Sequence, residues 1–392
     1  MPLLNRAVEL KPEIAAWRHE LHQHPELLYD THWTSAFVAE KLKSFGCDEV
    51  VTGIGRTGVV GVIKGRHGSG NVIGFRADMD GLPITEATGK PYASKSPGKM
   101  HACGHDGHTA MLLGAARHLC ETRNFSGSAA VIFQPAEEGG AGALAMVQDG
   151  LMERFGIEKV FGMHNEPGGA VGTFAGRVGP ILASVDTFSI TVTGVGGHAA
   201  GPHRAVDPIF IGAQIVSALQ GIVSRGADPL DSLVVTITQF HAGDAINVIP
   251  PSAQLVGTTR ALKQSTREMA EQRIRATVSG IATALGGTAE INYALVKPYP
   301  VTVNHQNETL QALAVARQVA GDAEVDGNTP PVMGGEDFTF MLEARPGSII
   351  WIGNGDTAFL HHPAYDFNDD AIPYGVSYWV SLAETLLKPR EN

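Results

Sequence analysis

Cysteine is scarce in this chain: three residues in 392, an odd number, with no apolar leader in the opening Met1-Pro-Leu-Leu-Asn-Arg run. A disulfide framework is excluded on that count, and a reducing cytoplasmic location is expected. Basic runs are absent too. Lys and Arg number 29 against 40 Asp and Glu, for a net charge of −11, so a nucleic-acid partner is not expected. No uninterrupted apolar stretch reaches the length of a bilayer span, so no membrane partner is expected. There is no internal repeat and no low-complexity tract, which excludes solenoid architectures.

What is present is apolar mass. With 43% hydrophobic residues in 392, the chain can bury large cores and is long enough for two domains. Up to about Phe45 the pattern predicts two helices separated by Pro25. Val8, Ile14, Trp17 and Leu21 form one stripe; Phe37, Val38, Leu42 and Phe45 form the other. Strands are expected at Val59–Ile63, Val72–Phe75, Ala129–Phe133 and Val160–Met163, and helices over 107–119 and 142–149. Strand and helix alternate, with polar residues at the strand ends. That is α/β logic, in which ligands collect at the carboxyl ends of strands.

The pattern changes near Ser184. Strands are expected at 187–193, 233–240, 253–261 and 289–294. Asp207-Pro208 opens one helix, and Ser265-Thr-Arg-Glu268 reads as a capping box for another. The order βαββαβ is that of a ferredoxin-like unit. It lacks the main metal-donor motifs. Residues 184–296 therefore read as a domain inserted into a discontinuous catalytic domain of residues 1–183 and 297–392, with Lys297-Pro-Tyr-Pro300 as the return linker.

The donors sit outside that insertion. His101-Ala-Cys103-Gly-His105-Asp106-Gly-His108 places a thiol, three imidazoles and a carboxylate within eight residues. Glu137-Glu138, His164 and His361-His362 follow. Thiolate, imidazole and carboxylate together suit divalent transition metals rather than calcium or magnesium. Cys103 and His105, two apart in a turn, can reach one centre. A thiolate bridges two cations better than a neutral imidazole, so Cys103 is the candidate bridge and His105 a terminal ligand. Adjacent carboxylates repel and need positive charge nearby to stay ionised. Glu137-Glu138 thus fits one ligand and one general base for the attacking water. Asp78 and Asp80, ending the Val72 strand, either orient a ligating histidine or cap the strand and pair with Arg76. Cys47 and Cys120 read as packing residues.

Three decoys fall away. His19-Glu20-Leu-His22 lacks the zincin spacing, because position 23 is Gln. Gly53-Ile-Gly55-Arg-Thr-Gly58 runs into a strand instead of a helix, which removes the dinucleotide reading. Ser184 and Ser189 lack a nucleophile-elbow frame.

With these pieces in place the chain resembles the M20 metallopeptidase family. The likeness is to the amidohydrolase branch of hippurate hydrolases, N-acyl-amino-acid deacylases and auxin-conjugate hydrolases. The matching stretches are Leu21-His-Gln-His-Pro-Glu-Leu27, Arg76-Ala-Asp-Met-Asp80, Met100-His-Ala-Cys-Gly-His-Asp-Gly-His108, Phe133-Gln-Pro-Ala-Glu-Glu-Gly-Gly140 and Gly162-Met-His164. Further on come Gly196-Gly-His-Ala-Ala-Gly-Pro-His203, Asn247-Val-Ile-Pro250, Gly334-Gly-Glu-Asp-Phe338 and Leu360-His-His-Pro363.

The resemblance implies a mixed-sheet, zinc-exopeptidase-like α/β dimetal domain with an inserted ferredoxin-like α+β lid or dimerisation domain. It implies that Cys103, His105, Glu138, His164 and His361 hold two divalent cations (zinc, manganese, cobalt or nickel). Glu137 would be the general base and Asp78 the supporting carboxylate. His198, on the inserted domain, would polarise the scissile carbonyl, and Asn247 and Arg260 would contact substrate. His361 is preferred to His362 because relatives have Leu-His-Ser-Pro there. The implied activity is hydrolysis of a small-molecule N-acyl amino acid by a cytoplasmic homodimer or higher homo-oligomer. A dipeptidase or carboxypeptidase on the same scaffold is the rival reading. A non-catalytic metal-dependent binding protein is a third, and the Glu137 base argues against it.

Overall fold

A computed structural model describes residues 3–388; Met1 and Pro2, which open the run inspected for a leader, lie outside them. The described chain forms two compact units. The first comprises the residues up to Gly179, Val303–Pro330 and those from Asp337 onward; the second comprises Pro180–Thr302 and Pro331–Glu336.

The first unit is built on an eight-stranded mixed sheet. Its order is Glu49–Ile54, Gly58–Lys64, Ser128–Gln134, Val72–Asp78, Ile157–Glu166, Gly347–Gly353, then the short Phe174–Ala175 and Val325–Asp326. The central strands Ser128–Gln134, Val72–Asp78, Ile157–Glu166 and Gly347–Gly353 are mutually parallel. Their near-continuous apolar runs are buried along almost their whole length, as expected of parallel strands covered on both faces. Glu49–Ile54 escapes the sequence pattern because it is an edge strand with little burial and no apolar run.

Helices Asn5–Gln23, His105–Thr122 and Ile372–Leu386 pack against one another, and His32–Phe45 packs on His105–Thr122. Leu10, Ile14, Trp17, Leu21, Val38 and Leu42 enter one core with Met111, Leu112 and Val376. In the first helix the buried stripe runs through Ala7 and Leu10 instead of Val8, which points outward with 49% exposure. Three positions relevant to chemistry, Asp78, His164 and the Glu137-Glu138 turn, lie at or just beyond carboxyl ends of the parallel strands.

The second unit has a four-stranded sheet ordered Leu233–His241, Ser252–Ala261, Asp186–Thr193, Thr288–Tyr293, antiparallel throughout. In chain order this is 4-1-3-2 read from the Thr288 edge, with helices Pro208–Gly221 and Gln264–Ala284 after the first and third strands: a ferredoxin-like topology. Phe188, Ile190 and Val192 meet Ile211, Ile215, Ile274 and Val278 in its core. Asp207 caps its helix, accepting from Ile209 N (2.8 Å) and Phe210 N (3.4 Å). The expected capping box does not form. The helix begins at Gln264 with Lys263 as N-cap, so Ser265 already lies inside it. Thr266 Oγ1 instead donates to Asp231 (3.1 Å).

Pro208–Gly226 is long and apolar enough to cross a membrane by length and composition alone. Gln214, Ser217, Gln220 and Ser224 interrupt it in sequence. Pro208, Ile211, Ile215 and Leu219 form its buried ridge at helical spacing.

Candidate metal centre

The first unit gathers the donors at one place. Cys103 is buried in the turn before helix His105–Thr122. Gly104 caps that helix in the left-handed region (φ +89), where a Cβ would lie 2.3 Å from Asn165 Nδ2 and 2.4 Å from Tyr365 Oη, so glycine is required. His105 is the first helical residue, and Thr109 Oγ1 ties the helix to the strand end by donating to Asp78 O (2.8 Å). The positive end of the helix dipole therefore faces a thiol and several carboxylates.

The ring orientations are set locally. His105 Nδ1 donates to Asp80 O (2.8 Å), leaving a buried Nε2 without a hydrogen-bond partner. His164 Nδ1 donates to Asn165 O (2.7 Å), turning Nε2 to within 3.5 Å of Cys103 Sγ. Both histidines thus present Nε2 to the same space, which is how a backbone acceptor fixes a metal-binding tautomer. His361, held in the left-handed region at φ +64, places Nε2 3.1 Å from Glu138 Oε1. His362 does not enter: its Nδ1 accepts from Ala364 N (3.0 Å) in its own turn.

Among the described residues the donor groups include the triads Cys103–His105–His164 and Cys103–Glu138–His361, each with its atoms within 4.8 Å of one another. They share Cys103. His105, Glu137 and Glu138 form a further group within the same limit. A thiol common to two triads fits two cations joined by a thiolate bridge, and the mixed S, N and O donors suit borderline transition metals.

The electrostatics fit cations as well. Burial pushes the Cys103 thiol well up, and the carboxylates of Glu138, Glu137 and Asp78 push it further. At His105 burial favours the neutral ring, yet Asp78, Asp80 and Glu138 outweigh it and raise the imidazole to about 10. Burial also keeps His164 neutral. A site that holds this much negative charge away from water calls for positive charge.

The two aspartates divide the work. Asp80, not Asp78, holds the Glu137-Glu138 turn: its Oδ1 accepts from Glu137 N (3.0 Å) and its Oδ2 from Glu138 N (3.1 Å). Ala136 just before the turn has φ +55, a strained value for a non-glycine residue. Asp78 is fully buried. Its Oδ1 accepts from His108 Nδ1 (2.6 Å), and Arg76 Nη1 lies 2.8 Å from its Oδ2. Burial opposes its ionisation, but His105, Arg76 and His108 hold it well below the usual carboxylate range. Its Oδ2 is 3.6 Å from His105 Nε2, so it borders the donor cluster.

The sequence reading missed part of this scaffold. His108 is saturated, since Nε2 accepts from Asn165 N (2.9 Å) while Nδ1 serves Asp78. Asn165 also donates to Cys103 O (2.6 Å) and accepts from Tyr365 Oη (2.7 Å). Asn165 stands beside His164 and could have been suspected; Tyr365 carried no signal. Beneath the helix start, Asp106 Oδ2 accepts from buried His22 Nδ1 (2.8 Å), with Arg18 Nη1 3.5 Å away.

In the second unit His198 and Asn247 come together. The Gly197–His198 ribbon pairs with Val248–Ile249, and Ala199 N donates to Asn247 O (3.0 Å). His198 is exposed, with Nδ1 accepting from Ala200 N (3.0 Å). Arg260 is not with them. It sits near the far end of the Ser252–Ala261 strand, roughly 25 Å from Ser252 at strand rise. It folds back to donate to Thr259 O (2.9 Å).

Comparison with known proteins agrees with this geometry. The chain is 43% identical over 388 residues to the hippurate hydrolase of Campylobacter jejuni, covering 99% of this chain and 100% of that one. It is 39% identical over 372 residues to an N-acetylcysteine deacetylase of Bacillus subtilis, covering 95% and 96%. Among solved structures, the Bacillus subtilis YXEP protein, a dinuclear metal-binding peptidase from the M20 family, superposes with a TM-score of 0.83. The two are 34% identical, with 97% of this chain and 99% of that chain covered. The sequence pattern of peptidase family M20/M25/M40 matches residues 74–385, a span that takes in Cys103, His105, Glu137, Glu138, His164 and His361. On fold, donor arrangement and sequence together, the chain belongs to peptidase family M20/M25/M40.

Proposed function

We propose that this enzyme hydrolyses the amide bond of N-acyl amino acids, hippurate-like or N-acetylated, releasing a carboxylic acid and a free amino acid. The observation that carries the reading is the pair of donor triads sharing Cys103, with Glu137 beside them. Cys103, Glu138 and His361 would hold one divalent cation and Cys103, His105 and His164 the other, drawn from zinc, manganese, cobalt or nickel. Such cations, when bound, polarise the carbonyl and ease deprotonation of water.

The chain's own groups do the rest. Glu137, anchored through its backbone by Asp80, takes a proton from the attacking water and passes it to the leaving nitrogen. Asp78 supports this set by neutralising Arg76 and fixing His108 next to the cluster. His198 donates to the developing oxyanion, from the same chain or from a partner subunit of a homodimer or higher homo-oligomer. Asn247 meets the substrate beside His198, and Arg260, distant from that pair in its own chain, would reach the same substrate from another subunit, its guanidinium matching an amino-acid carboxylate. A cytoplasmic setting suits an enzyme that depends on a free thiol.

The test is a substrate panel on metal-reconstituted enzyme: N-benzoylglycine, N-acetyl amino acids and free dipeptides, each with manganese, zinc, cobalt or nickel. Turnover of the acylated compounds and poor turnover of dipeptides is expected. The opposite order would make the enzyme a dipeptidase. No turnover with any metal would leave a binding protein.

A further inference from the structure

Cys47 and Cys120 are 73 residues apart in sequence, and neither belongs to the donor cluster. Sequence alone makes both of them packing residues. The fold brings their sulfurs to 3.6 Å. Cys120 lies near the end of helix His105–Thr122, and Cys47 follows Gly46, the left-handed cap (φ +83) of helix His32–Phe45. Cys47 is half-buried and reachable by solvent, whereas Cys120 is buried behind it.

Arg123 organises this corner. Its guanidinium donates to Gly46 O (2.8 Å), Lys64 O (2.9 Å) and Asp48 Oδ2 (2.6 Å), gripping the segment that carries Cys47. The two thiols share one hydrogen bond, and the Arg123 charge favours a thiolate at either sulfur. One sulfur is thus accessible and its neighbour lies within contact distance of it, the arrangement of an attacking and a resolving cysteine.

We propose that Cys47 and Cys120 are a redox-active dithiol that closes reversibly to a disulfide by exchange with a small-molecule disulfide such as oxidised glutathione. Cys47 attacks the glutathione disulfide, forming a mixed disulfide and releasing one glutathione thiolate. Cys120 then attacks the Cys47 sulfur, forming the Cys47–Cys120 bond and releasing the second. The two protein protons leave on the two glutathione thiols. The protein pair is oxidised by two electrons and the glutathione disulfide is reduced by two. A disulfide needs its sulfurs at about 2.05 Å, so closing the bond requires the Cys47 and Cys120 side chains to move together from 3.6 Å. Cys103 cannot substitute as partner. It precedes the opposite end of the same helix, and about 22 Å of helix separates His105 from Cys120.

The closed bond would tie the far end of the His105 helix to the end of its neighbour, leaving the donor cluster untouched. It should raise the unfolding temperature by several degrees, since it closes a long loop in the unfolded chain, and leave kcat unchanged. The experiment equilibrates metal-loaded enzyme with oxidised glutathione, then counts free thiols and maps peptides by mass. Expected are the joint loss of two thiols, a cross-linked Cys47–Cys120 peptide pair, reversal by dithiothreitol and the higher unfolding temperature. Cys47→Ser and Cys120→Ser should each abolish the cross-link and the stability gain. Separate glutathione adducts on Cys47 and Cys120 in the unaltered enzyme would overturn the proposal, as would both thiols remaining free. The peptide map of the unaltered enzyme decides even if a serine variant fails to fold.

Discussion

Asp80→Asn is a sharp perturbation of this site. The Asp80 carboxylate spends one oxygen on Glu137 N (3.0 Å) and the other on Glu138 N (3.1 Å). Asparagine has the same shape but only one acceptor oxygen, and its amide NH2 would confront a backbone N–H. One N–H of the turn must lose its partner. A hydrogen bond to a charged group is worth about 1.5–3 kcal/mol. If most of that loss falls on the positioning of Glu137, kcat drops about 10–100-fold, at 1.36 kcal/mol per decade.

The same loosening frees Glu138, so metal retention should weaken at the Cys103–Glu138–His361 triad. KM should move little, because no group assigned to substrate is altered. The assay pairs steady-state kinetics on N-benzoylglycine with metal content by elemental analysis and a thermal unfolding midpoint. Asp78→Asn is the control, since it leaves the turn intact and instead unbalances Arg76 and His108; its main effect should be on stability. An Asp80→Asn enzyme with unaltered kcat and full metal content would refute the reasoning, because the turn would then be held by something else.

Further outcomes follow from the same geometry. Glu137→Gln keeps the backbone bond to Asp80 and should retain both metals while losing ~10²–10⁴-fold in kcat; near-normal turnover at full metal occupancy would move the base elsewhere. His22 is protonated in the fold: burial opposes this, but Asp106 outweighs it and raises the imidazole from 6.5 to about 9. A raised pKa means the stabilisation is complete below about 6.5 and is lost as pH rises through about 9. The gap in unfolding midpoint between the unaltered enzyme and His22→Gln should therefore shrink over that interval, and a constant gap would count against the His22–Asp106 pair. His198→Ala should leave metal content unchanged and cost ~2.7–4 kcal/mol of transition-state stabilisation. Recovery of activity on mixing it with Glu137→Gln, after verified subunit exchange, would place His198 in trans; no loss in the single variant would remove it from the mechanism.

The donor types and the two-part architecture were legible in the sequence because both rest on local signals. Cys103-Gly-His105 is a two-residue spacing, Glu137-Glu138 an adjacency, and the switch to alternating strands after Ser184 a change of period. Tertiary structure decided what each donor faces. Asp78 and Asp80 are near neighbours in one motif and indistinguishable by type. Only the pairing of Val72–Asp78 between Ser128–Gln134 and Ile157–Glu166 gives Asp80 to the Glu137-Glu138 turn and Asp78 to His108 and Arg76. His361 over His362 was argued from resemblance, but its physical reason is a left-handed backbone that turns one ring to Glu138 and leaves the other in its own turn. Tyr365 beside Asn165, His22 beside Asp106 and Cys47 beside Cys120 are contacts across 200, 84 and 73 residues of sequence. No local pattern encodes such contacts. The last two exist because helices Asn5–Gln23, His32–Phe45 and His105–Thr122 bury their apolar stripes in one shared core, and that burial brings together residues on them and at their ends.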